Sequence, residues 1–95
     1  MTDGFQQVVE RSGLTRMELA KLYGVSRQTI HYWRVVGPPR ENGYTARMAR
    51  TITQALLTAI SRRLLPLASL DKKQRKEKIA GMARTLQALK PAPIK

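Results

Sequence analysis

The stretch LTRMELAKLYGVSRQTIHYWRVVG, residues 14–37, decides the fold, because its side chains mark where two helices begin and end. Thr15 can cap the amides of a helix starting at Arg16 while Glu18 reaches back, and Leu14 against Leu19 forms the hydrophobic staple. That helix runs through Leu19, Ala20, Leu22 and Tyr23 and stops at Gly24, which tolerates a left-handed backbone. Ser26 then caps a second helix near 27–35, with Val25 and Ile30 as its staple. Two short helices joined by a glycine turn are the helix-turn-helix arrangement, whose second helix can enter the DNA major groove. Its packing requires a small residue at the crossing, supplied by Ala20, and apolar groups that pin the second helix, supplied by Ile30 and Trp33.

Upstream, Phe5, Val8 and Val9 make a short apolar face that Gly13 can end. Downstream, GPPRENG, residues 37–43, cannot continue a helix. From Thr45 an amphipathic helix resumes, with Met48, Ile52, Leu56, Ile60 and Leu64 at four-residue spacing. Pro66 ends or kinks it. A last helix is expected from Asp71, which has capping-box spacing to Gln74, with Ile79, Met82, Leu86 and Leu89 as its apolar stripe. No stretch alternates at period two for long enough to make a strand. The expectation is an all-α, compact four- to five-helix domain with a basic amphipathic C-terminal helix. Two parts are expected: a helix-turn-helix domain over 1–66, and a basic helical extension over 67–95 that dimerises or clamps DNA.

The 95 residues carry 18 Lys and Arg against 6 Asp and Glu, a net charge of +12. Such a chain attracts polyanions, nucleic acid first and an anionic membrane surface second. With no cysteine and one histidine, disulfides and a thiolate or zinc site are not expected, and neither is a cofactor. The N-terminal MTDGFQQVVERSG lacks the basic and apolar regions of a signal peptide, and no run is long enough to span a bilayer. A soluble, cytoplasmic, non-enzymatic protein is expected, since there is also no phosphate-binding glycine loop and the acids are scattered.

Residues 14–36 resemble the helix-turn-helix of the Cro and lambda-repressor type phage regulators and of related small antitoxins. The likeness is strong over about a quarter of the chain and looser for the first helix and the helix from Thr45; the Lys-rich C-terminal segment is not part of the family pattern. It implies a dimeric repressor of a pseudo-palindromic operator, in a bacterial cytoplasm or nucleoid. It also implies that Arg27, Gln28 and Tyr32 meet base edges. Side-chain chemistry agrees for two of these, since Arg27 can bind guanine and Gln28 adenine through paired hydrogen bonds. His31 points outward, either as a polar surface residue or toward base or phosphate, and Tyr32 either meets DNA or packs against the loop. Ser26, Lys21, Arg34, Arg40, Arg47 and Arg50 are the expected phosphate contacts.

In the C-terminal segment Lys72, Lys73, Arg75, Lys76 and Lys78 are either a solvated face or a clamp on flanking DNA. The stripe Ile79, Met82, Leu86 and Leu89 either finishes the core or joins a second copy. Two other functions remain open: capture of an acidic protein partner, and sequence-independent binding of nucleic acid.

Overall fold

The computed structural model describes residues 4–39, 43–65 and 70–89. Among them are five α-helices and no strand: α1 (Gly4–Arg11), α2 (Arg16–Tyr23), α3 (Arg27–Val36), α4 (Tyr44–Ser61) and α5 (Lys72–Gln87). The capping chemistry explains these boundaries. Thr15 Oγ1 accepts the Glu18 amide at 3.1 Å, and Glu18 Oε1 accepts the Thr15 amide at 2.9 Å. Ser26 Oγ accepts the Thr29 amide, and the Asp71–Gln74 box closes at 2.8 and 3.3 Å. Gly24 ends α2 with φ +70°, a conformation that costs an L-residue about 1–2 kcal/mol.

The core lies where α2 is enclosed by α3, α4 and α5, with α1 closing over α4. Leu19 and Leu22 of α2, Ile30 of α3, and Ile52 and Leu56 of α4 are almost wholly buried. Phe5, Tyr23 and Trp33 meet edge to face, their ring centroids 5.5–5.7 Å apart. This three-way contact holds α3 against α1 and α2, and puts Trp33 in the core as its spacing required. The Tyr23 hydroxyl is satisfied by Thr53 Oγ1 at 2.6 Å.

Two expectations change. Helix α4 ends at Ser61, so Leu64 does not extend its stripe; Leu64 is exposed and Leu65 is buried instead. The cause is Arg63, at φ +61°: its amide donates to the Ile60 carbonyl, and the Leu64 amide donates to the Ala59 carbonyl. This is a left-handed helix stop made without glycine. Arg63→Gly should therefore raise the unfolding free energy by about 0.5–1 kcal/mol in urea titration; a loss would contradict that backbone. Pro66 lies outside the described residues.

The second change concerns residues 67–95. Ile79, Ala83 and Leu86 of α5 belong to the same core as α1–α4, so α5 does not stand apart as an extension. Its stripe takes the first of its two expected uses, completing the core. Ile79 and Leu86 are consumed in that core and are not exposed for a second copy, Met82 is half-buried, and Leu89 lies exposed beyond the end of the helix.

Candidate nucleic-acid interface

The N-terminal ends of α2 and α3 lie side by side and form a shallow open groove lined by Thr15, Arg16, Met17, Arg27, Gln28 and His31. The tight turn at residues 24–26, with Gly24 in the left-handed conformation and Ser26 capping α3, sets how the two helices cross. Inward packing of Ile30 and Trp33 then leaves Arg27, Gln28, His31, Tyr32, Arg34 and Val35 exposed. Arg27, Gln28 and His31 are thus brought together. Tyr32, 60% exposed, is on the same helix and is not folded into the core.

Arg16 and Met17 were not among the expected site residues. The signal was available for Arg16, as the residue after the Thr15 cap, but its closeness to α3 depends on how the two helices pack. Met17, 61% exposed, adds an apolar edge to an otherwise polar groove.

The expected phosphate contacts divide. Lys21 and Arg34 are exposed on α2 and α3. Ser26 is on the same turn, but its hydroxyl is engaged with Thr29 as the α3 cap. Arg50 lines a separate depression with Gly4, Phe5, Pro38 and Pro39, and Arg47 is half-buried on α4. Arg40 lies outside the described residues.

Arg75 is corrected outright. Rather than standing free to clamp DNA, its guanidinium forms a paired salt bridge with Glu18, Nη2 to Oε1 at 2.8 Å, and Nη2 also reaches the Gly13 carbonyl at 2.8 Å. At the far end of α5, Gln87 Nε2 donates to the Lys21 carbonyl at 2.7 Å. Helix α5 therefore runs parallel to α2 and is tied to it at both ends. Lys72, Lys73, Lys76 and Lys78 remain exposed on α5.

The hydrogen bond from Arg75 holds the Glu18 carboxyl below its ordinary value of 4.5, and the same bond raises the Arg75 guanidinium. Because the unfolded carboxyl takes its proton first, this contact stabilises the fold above pH 4.5 and is lost as pH falls through the lowered value. Glu18→Gln keeps the cap but removes the ion pair, so it should cost about 1–2 kcal/mol at pH 7. Melting measured from pH 7 down to pH 3 should show the two proteins converging in acid; an unchanged gap would refute the assignment.

Among the described residues no three of His, Asp and Glu cluster as metal ligands, and no helix is long and apolar enough to cross a membrane. No family model, curated protein or solved structure matches the chain.

Proposed function

We propose that the protein is a sequence-specific double-stranded DNA-binding regulator, a repressor of the Cro-like kind that works as a homodimer. The observation that carries this reading is the groove at the N-termini of α2 and α3, with Arg16, Arg27, Gln28 and His31 on one open face. In this reading α3 enters the major groove. Arg27 and Gln28 meet base edges, His31 and Tyr32 meet bases or the sugar–phosphate wall, and Arg16, Lys21 and Arg34 hold phosphates. The dimer places two such helices on an inverted repeat, half-sites about one helical turn apart.

Two measurements test the reading. The selected site should compete against unrelated duplex by at least ~10³-fold, and equal competition would leave only sequence-independent binding. If the dimer makes about 6–10 phosphate contacts, affinity should fall about 10³- to 10⁵-fold between 50 and 200 mM salt. A salt-insensitive complex would rule out the phosphate contacts.

A second reading rests on a different feature. Between α4 and α5, Ala55, Ala59, Leu64, Met82 and Lys78 line an open, largely apolar groove that a protein partner could occupy. Binding there would survive loss of Arg27 and Gln28, which separates the two functions.

A further inference from the structure

The outward side of α3 changes chemistry along its length. Its first turn presents Arg27 and Gln28, whereas its last turns present Tyr32, Val35 and Val36. Residues three and four apart share a helix face, so Gln28, Tyr32 and Val35 form one continuous row. Val35, 72% exposed, is the most exposed large hydrophobic side chain among the described residues, and Val36 beside it is 61% exposed.

Nothing among the described residues accounts for this. Valine is a mediocre helix former, and on a surface it gains no burial to offset its restricted rotamers. The core contacts of α3 are already supplied by Ile30 and Trp33. Two adjacent exposed valines there would gain burial against an apolar group brought by a partner.

The surroundings limit what that partner can be. Arg27 and Arg34 are exposed on the same helix, Arg16 stands across the groove, and the whole chain carries +12. A duplex answers both features at once: its phosphates meet the arginines, and its major groove displays one hydrocarbon group, the thymine C5 methyl.

We infer that Val35 is a specificity-determining residue that reads a thymine methyl, an inference that rests on the DNA reading above. The two ends of the row then have different preferences, with guanine and adenine at Arg27 and Gln28 and thymine at Val35. The seven steps from Gln28 to Val35 rise about 10 Å along the helix, or about three base-pair steps for a helix lying along the groove.

The test replaces each thymine of the selected site in turn by uracil, which removes the methyl and keeps the pairing edge. Affinity is measured by fluorescence anisotropy for the wild type and for Val35→Ala, with sedimentation of both proteins alongside. Alanine at an exposed helix position favours the helix, so the variant should fold. The expected result is one thymine per half-site, about three steps from the base facing Gln28, whose replacement weakens the wild type about fourfold, the value of burying one methyl. Val35→Ala should weaken binding to the thymine site by a similar factor and bind the thymine and uracil sites alike.

A flat uracil scan, with site selection and dependence on Arg27 intact, overturns the inference and leaves the DNA reading standing. So does a thymine effect that Val35→Ala leaves unchanged, since another side chain then makes the contact. A flat scan combined with loss of self-association in Val35→Ala also overturns it and assigns the valines to a contact between copies. Failure to select any site overturns this inference and the DNA reading together.

Discussion

Alanine at both Arg27 and Gln28 is expected to lower affinity for the selected operator by about 30- to 10⁴-fold. Each paired hydrogen-bond contact with a base contributes about 1–3 kcal/mol of discrimination, and tenfold in affinity corresponds to about 1.4 kcal/mol. The same replacement should leave stability within about 0.5 kcal/mol, because both side chains are exposed and neither enters the core. Residual binding should persist through phosphate contacts and should no longer distinguish the operator from unrelated duplex. The measurement is a titration of both sequences at one salt concentration, beside a urea melt. Unchanged discrimination would remove Arg27 and Gln28 from base reading. Capture of a protein through the α4–α5 groove predicts no effect on that partner.

Leu22→Ala should have the opposite profile. Leu22 has no accessible surface, and it lies on the helix that α3, α4 and α5 all enclose. Buried leucine-to-alanine changes cost about 2.7–5.0 kcal/mol, the larger values where the cavity cannot collapse. At about 0.05–0.15 kcal/mol per residue, a domain of this size has only about 5–14 kcal/mol in total. The variant should therefore melt far below the wild type and be partly unfolded near 37 °C, losing DNA binding through unfolding rather than through a lost contact. Below its melting range, binding per folded molecule should be unchanged. A loss of less than about 1 kcal/mol in urea titration would contradict the packing of α2 at the centre of the core.

Helix ends differ in how far a sequence reveals them. Caps act over three residues, so the Thr15–Glu18 and Asp71–Gln74 boxes and the Ser26 cap could be read locally, and each is present. Trp33 could be placed by its spacing from Ile30, and both are buried. The end of α4 could not be read in this way. A left-handed stop is normally marked by glycine, and here Arg63 takes that conformation, so the apolar spacing through Leu64 pointed to a longer helix.

Long-range partners were harder still. Arg75 and Glu18 are 57 positions apart, and in a Lys- and Arg-rich run Arg75 looks like any other solvated or DNA-facing cation. Only the docking of α5 along α2 makes it an internal tie. For the same reason the Lys-rich segment after Pro66 reads as a separate extension, although Ile79, Ala83 and Leu86 complete the common core. Within the candidate interface, Arg27, Gln28 and His31 were legible because one helix carries them. Arg16 and Met17 are not legible because they join the groove across two helices, and Arg50 lines a separate depression.

The central claim is that α3 reads a defined DNA sequence, and selection from a random duplex library at about 150 mM salt tests it most directly. The account predicts enrichment of an inverted repeat, half-sites about one helical turn apart, that Arg27→Ala and Gln28→Ala no longer enrich. Retention of DNA with no enriched sequence would contradict it, leaving a cationic helical protein that binds polyanions without reading them.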